Sequence, residues 1–269
     1  MMTVRKGKFM SIFDRFRLNG KRLLITGGSR GLGREMALAI ADAGADVVLV
    51  GREATSLKGT ADDIRALGRQ AWAIEGDVSQ PDQCEAICNQ VLQHHGPIDI
   101  LINNVGGRRI DVQIEDQTLE QWQQIIDLNL TSTFLCMKYI GKSMIERGQG
   151  GRIINIASIS GMVANRGIGG RSYETAKAAV MHLTRSAAAD WAPHKITVNA
   201  ICPGGFMTAP NIRWANDAPE MIKGFRQQIP SGDFGQPEDL GPLAVYLASD
   251  ASRYVTGAAM VIDGGYTLW

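Results

Sequence analysis

One stretch constrains this chain more than any other: Thr26-Gly27-Gly28-Ser29-Arg30-Gly31-Leu32-Gly33. It follows the apolar run Arg22-Leu23-Leu24-Ile25, which reads as a strand, and leads into Arg34 to Ile40, which reads as a helix. A strand, a glycine-rich turn and a helix start together form a phosphate cradle. Glycines let backbone N–H groups come close to a pyrophosphate, and the helix N-terminus adds partial positive charge. Gly27, Ser29, Arg30, Gly31, Leu32 and Gly33 are therefore candidate binding residues. The position of this turn, at the first βα unit of the chain, is where a dinucleotide site belongs.

The βα pattern then repeats. Strands are expected at 46–50, 70–74, 98–102, 152–157, 195–201 and 258–262, and helices at 55–67, 81–94, 119–147 and 172–191. Apolar strands alternating with helices predict an α/β Rossmann fold: a doubly wound, seven-stranded parallel sheet with helices on both faces. A chain of 269 residues, 45% hydrophobic and 20% charged, suits one domain of this kind. We expect an N-terminal extension over 1–18 and the Rossmann domain over 19–269. Within that domain, 204–236 is the least regular segment and reads as a loop over the substrate.

Composition excludes several alternatives. A formal net charge of +1 argues against a nucleic-acid partner. No run is long enough to span a bilayer, and the basic N-terminus lacks a signal-peptide core, so a cytoplasmic protein is expected. Met10-Ser11-Ile12-Phe13 looks like a natural start, which would make residues 1–9 dispensable. Cys84, Cys88, Cys136 and Cys202 lack zinc-type spacing in sequence and read as buried free thiols, so no metal site is expected.

In an open parallel sheet the site lies at the carboxyl ends of the strands. Asp77 and Val78 fall there, as do Asn103, Asn104 and Gly106, then Ser158, and then Pro203, Gly204 and Thr208. Tyr173 and Lys177 lie one helical turn apart and share a face. A tyrosine of pKa ~10 is a poor base at neutral pH, and an adjacent ammonium favours the phenolate. Such a phenol can move a proton to or from a carbinol oxygen, with Ser158 holding that oxygen in line. Asn129 sits in the middle of a long helical pattern that asparagine disfavours. A local break there would offer a backbone carbonyl to a water bridging toward Lys177.

With these residues in place, the chain resembles the short-chain dehydrogenase/reductase superfamily, in its single-domain branch, from about Leu18 to Trp269. Its TGxxxGxG motif appears as Thr26-Gly27 with Gly31 and Gly33, and its NNAG motif as Asn103-Asn104-Val105-Gly106. The catalytic Asn, Ser, Tyr and Lys appear as Asn129, Ser158, Tyr173 and Lys177, and PGxxxT as Pro203-Gly204 and Thr208. The resemblance implies hydride transfer between a nicotinamide and a secondary alcohol or ketone, in a homotetramer. Three departures stand out: Val105 in place of alanine, Asp233 in place of a basic residue, and a longer interval from Ser158 to Tyr173. Ser160 has the commoner spacing, but Ser158 ends the strand and is preferred.

The end of the second strand carries Gly51-Arg52 rather than a carboxylate, and Arg30 stands in the glycine turn. Guanidinium groups suit a 2′-phosphate, so NADP(H) is expected over NAD(H). The expected pocket segments carry Arg108, Arg109, Arg166, Arg171 and Arg213, with Trp214 and Phe225 as apolar walls. As a set the arginines suggest an anionic small molecule such as a sugar acid. Members of the gluconate 5-dehydrogenase type and of the 3-oxoacyl-carrier-protein reductase type are equally similar in pattern. A non-catalytic NADP-binding regulator, and a lyase or epimerase that uses the same Tyr-Lys pair with tightly held cofactor, are the alternative classes.

Overall fold

The computed structural model describes residues 11–165 and 169–268. Seven strands run parallel: β1 (Arg22–Thr26), β2 (Asp46–Gly51), β3 (Ala71–Glu75), β4 (Ile100–Asn103), β5 (Gly151–Ile156), β6 (Ile196–Pro203) and β7 (Ala259–Ile262). Their order is β3-β2-β1-β4-β5-β6-β7. The chain thus reverses its winding direction between β1 and β4, and a crevice opens there at the strand ends.

Nine α-helices connect the strands among the described residues: α1 (Gly31–Asp42), α2 (Ala54–Ala66), α3 (Pro81–His94), α4 (Leu119–Ile126), α5 (Ser132–Arg147), α6 (Arg171–Trp191), α7 (Ala209–Asp217), α8 (Pro219–Arg226) and α9 (Gly241–Ala248). The central strands are apolar at nearly every position because both faces are covered. Their side chains still alternate. Leu23, Ile25, Val47 and Leu49 join Met36, Ile40, Leu57 and Leu247 on one face, while Leu24, Val48 and Val50 join Ile87, Val91, Ile140 and Met144 on the other. Leu18, in the segment expected to be an extension, is buried in the first of these cores, and its N–H donates to the Ala43 carbonyl at 2.8 Å. Residues 1–10 lie outside the described set.

The helical pattern 119–147 is divided where the break at Asn129 was expected: a π turn at Asp127–Thr131 separates α4 from α5. One expectation changes. The segment 204–236 is not an irregular loop, since it contains α7 and α8. Pro210 and Pro219 stand in the first turns of these helices, where the missing N–H costs nothing. Phe225 stacks between Phe234 (5.2 Å) and Tyr266 (4.9 Å), which gives this segment a small core of its own.

Candidate active site

The ends of β1 and β4 are stitched together first. Thr26 Oγ1 accepts from the N–H groups of Asn104 (3.1 Å) and Val105 (3.2 Å), and Asn104 Nδ2 donates to the carbonyls of Thr26 and Gly27. This fixes the glycine turn. Gly27 and Gly31 take left-handed backbone, with φ of +67° and +54°. A Cβ at Gly33 would overlap the Gly27 carbonyl oxygen and the Asn104 amide. Helix α1 starts without a side-chain cap, so its first N–H groups are left for a ligand. A cleft of about 440 Å³ opens beside the turn and is lined by Gly27, Ser29, Arg30, Gly51, Arg52, Asp77, Val78, Asn104 and Gly106. Uncapped amides and obligatory glycines fit a dinucleotide pyrophosphate here. Gly31, Leu32 and Gly33 form the first turn of α1, and a Cβ added at Gly31 would lie 3.7 Å from the methyl group of Thr208, the N-cap of α7.

Asn103 is placed differently from its neighbours. Its side chain is buried and donates to Asn155 Oδ1 at 2.8 Å, and Asn155 in turn donates to Thr184 on α6. It braces β4 against β5 and lines neither cavity. Pro203 ends β6, and the Gly204 N–H pairs with Ile262 of β7.

Asn129, Lys177, Tyr173 and Ser158 meet between two cavities. Asn129 occupies the π turn and is fully buried. Its Oδ1 accepts from the Gly107 N–H (2.9 Å), and its Nδ2 donates to the Gly107 carbonyl (3.1 Å) and to that of Ile125 (3.0 Å). The break expected at Asn129 therefore exists. Its backbone carbonyl accepts from the Thr133 hydroxyl, and it is the side chain that reaches the site. Lys177, 3% exposed, donates from Nζ to the Ile156 carbonyl at 2.7 Å. A Cβ at Gly106 would lie 2.7 Å from Asn129 Oδ1 and 2.9 Å from Lys177 Nζ, so these two groups converge on one glycine.

Burial dominates the electrostatics of Tyr173. Burial pushes its phenol above the ordinary value, and hydrogen bonding to Ser158 and the charge of Arg108 oppose that rise only in part. Burial also pulls Lys177 down to about 8. The lysine Nζ lies 5.8 Å from the tyrosine ring centroid, while the Arg108 guanidinium carbon lies at 4.9 Å. Lys177 is thus not the nearest cation to this ring.

A second cavity, of about 240 Å³, lies on the far side of Tyr173. Ser158, Ser160, Asn165 and Arg108 form its polar wall, and Trp214, Ile222, Phe225 and Phe234 its apolar one. Both serines reach it, and Ser158 Oγ also accepts from the Ser160 N–H.

The comparisons with known proteins agree with this geometry. A family model described as enoyl-(acyl carrier protein) reductase matches residues 27–267. A 2-dehydro-3-deoxy-D-gluconate 5-dehydrogenase of Dickeya dadantii is 38% identical over 95% of this chain and 98% of its own length. The crystal structure of a short-chain type dehydrogenase/reductase from Mycobacterium marinum is 41% identical with a TM-score of 0.88, covering 96% of this chain and 99% of that one. The chain is a short-chain dehydrogenase/reductase. A gluconate 5-dehydrogenase from Burkholderia cenocepacia, solved in complex with NADP and tartrate, superposes with a TM-score of 0.89 at 34% identity, over 96% of this chain and all of that one.

Within this short-chain dehydrogenase/reductase, the arginines expected around the substrate disperse. Arg108 alone of the described ones lines the second cavity; Arg109 borders the first, Arg171 pairs with Glu174 at 2.9 Å, and Arg213 faces solvent. Arg166 lies outside the described residues. The first cleft is also less purely cationic than its sequence reads. Glu53 lines it, 3.6 Å from Arg30, and Asp77 lies 3.6 Å from Arg52.

Sequence reasoning passed over Glu53, Asn165 and Glu174. Glu174 follows Tyr173 directly and stands three residues after Arg171, a helical ion-pair spacing that was readable. The four thiols are free and buried, as expected, but three of them cluster. Cys84 and Cys88 of α3 and Cys136 of α5 place their sulfurs within 4.8 Å of one another, all buried, a grouping their sequence spacing does not announce. Among the described residues, no helix is long and apolar enough to cross a membrane.

Proposed function

We propose that this oxidoreductase interconverts a secondary alcohol and a ketone, with NADP(H) as hydride partner and a sugar acid or polyol as substrate. The convergence of Tyr173, Lys177, Ser158 and Asn129 between a dinucleotide-shaped cleft and a second, smaller cavity carries this reading. When bound, NADP(H) supplies or accepts the hydride. The phenol of Tyr173 donates a proton to the carbonyl oxygen in reduction and accepts it from the alcohol in oxidation. Ser158 holds the same oxygen by hydrogen bond, and Lys177 and Asn129 hold the floor of the cleft at Gly106 and Gly107. Burial of the phenol keeps water from competing for that proton.

Preference for NADP(H) over NAD(H) is supported by Gly51 at the end of β2 and by the exposed guanidinium groups of Arg30 and Arg52 at the cleft rim. Each pairs with a carboxylate only at 3.6 Å, which leaves it free to turn to a 2′-phosphate. The exposure of the apolar residues Leu119 and Phe134, on α4 and α5, supports assembly as a homotetramer through these helices. The four reduced, buried thiols suit a cytoplasmic setting.

The relatives' names support the sugar-acid reading, and Arg108 gives the second cavity one cation for a carboxylate. The aromatic wall of that cavity favours a second reading, reduction of a 3-oxoacyl thioester. A regulator without activity is disfavoured, because all four catalytic side chains are present and placed together. Turnover assays with sugar acids, polyols and hydroxyacyl thioesters, each with NADP+ and NAD+, test these readings. We expect oxidation of a sugar acid or polyol, a higher kcat/KM with NADP+, and loss of turnover in Tyr173→Phe. Full turnover in Tyr173→Phe overturns the mechanism, and a higher kcat/KM with NAD+ overturns the cofactor preference.

A further inference from the structure

We propose that Arg108 is a second electrostatic partner of Tyr173, a positioning residue whose fixed cation favours the phenolate. The inference rests on the reading of Tyr173 as general acid/base and adds to it a residue outside the four named above. Arg108 leaves the end of β4 under tight control. Asn129 clamps both backbone groups of Gly107, and Arg109 turns the chain with φ +55°. The guanidinium then lies over the Tyr173 ring, 4.9 Å from its centroid. Its Nη1 donates to the carbonyls of Gly169 and Gly170, just before α6, and its Nη2 lies 3.5 Å from Glu174. Both terminal nitrogens thus have partners, and the side chain is only 18% exposed.

The charge is not cancelled by that carboxylate. Arg171 Nη1 takes both Glu174 oxygens at 2.9 Å, and Asn165 donates to the same carboxylate from its backbone and side chain. Two guanidinium groups around one carboxylate leave a net positive charge beside the phenol. A cation facing an aromatic ring gains when that ring becomes electron-rich, as in the phenolate. The other groups around Tyr173 cannot replace it. Ser158 and Ser160 are neutral, and burial holds the Cys202 thiol up at about 11. The segment 204–236 faces the cavity with uncharged groups only, among them Asn211, Trp214 and Phe225. Burial draws Lys177 down to about 8, whereas a guanidinium keeps its charge well above that.

The test is the Tyr173 titration itself, read with NADP+ bound as the ultraviolet phenolate signal of each protein minus that of its Tyr173→Phe counterpart. Arg108→Met is expected to raise the midpoint by about 1 pH unit, and Arg108→Lys to recover at least half of that rise. Glu174→Gln is expected to lower it, because it removes the carboxylate nearest Arg108. An unchanged midpoint in Arg108→Met, or equal midpoints in Arg108→Met and Arg108→Lys, overturns the proposal. If Arg108→Met fails to fold, a Glu174→Gln midpoint that stays or rises overturns it. The measurement needs no substrate, so it stands apart from the turnover of Tyr173→Phe, which tests the catalytic reading.

Discussion

Lys177 is expected to destabilise the fold it serves. Its pKa falls from an ordinary 10.5 to about 8 because burial penalises the ammonium. At 1.36 kcal/mol per unit, keeping it charged in the fold at neutral pH costs about 3 kcal/mol. Lys177→Met removes that cost but strands the Ile156 carbonyl, which now accepts from Nζ at 2.7 Å, a loss of about 1–3 kcal/mol. The variant should therefore be more stable than the parent at pH 7 by about 1 kcal/mol, while losing catalysis. The sign reverses with pH. Between the folded value near 8 and the unfolded value of 10.5, the unfolded chain holds the proton more tightly, so the parent gains stability as pH rises. The advantage of Lys177→Met should fall by about 2 kcal/mol between pH 7 and pH 10. Urea unfolding of both apoproteins, at matched protomer concentration, measures this difference and cancels every other titration. A variant less stable at pH 7, by an amount that does not change with pH, would refute the view that the ammonium is held at the expense of stability.

Three further outcomes follow from the same geometry. Gly33→Ala drives a methyl group into the Gly27 carbonyl and should weaken NADP+ binding at least about tenfold, read by calorimetric titration; unchanged affinity would mean the turn is not the phosphate cradle. Gly106→Ala places a Cβ 2.7 Å from Asn129 Oδ1 and 2.9 Å from Lys177 Nζ, and should lower kcat by about 100-fold or more, with a smaller effect on cofactor affinity. All four cysteines are buried, so a thiol reagent should find essentially none in the native protein and four after denaturation; fast native reaction would contradict their burial.

The glycine turn, the Tyr173–Lys177 pair and the strand-end residues were all visible in the sequence, because each depends on neighbours within one turn or at one strand end. Helical period places Tyr173 and Lys177 on one face whatever the rest of the chain does. A strand that runs apolar at both alternating positions announces a sheet covered on both sides, and the order of strands and helices then leaves few windings. Fold class and the identity of the candidate site residues needed no more than that.

Placement across the sheet was another matter. The clamp of Asn129 on Gly107 spans 22 residues, the hold of Arg108 on Gly169 spans 61, and the contact of Cys84 with Cys136 spans 52. Nothing in local period sets such meetings; they exist only once the crossovers have brought β4, the π turn and α6 to one end of the sheet. Charge follows the same rule. Arg30 and Arg52 look unopposed along the chain and acquire Glu53 and Asp77 in space, while Tyr173 looks like the ward of Lys177 and lies closer to Arg108. Local spacing tells which groups the protein carries. Burial and long-range packing set how strongly each holds its proton, because desolvation and Coulomb energy depend on distances that only the folded chain defines.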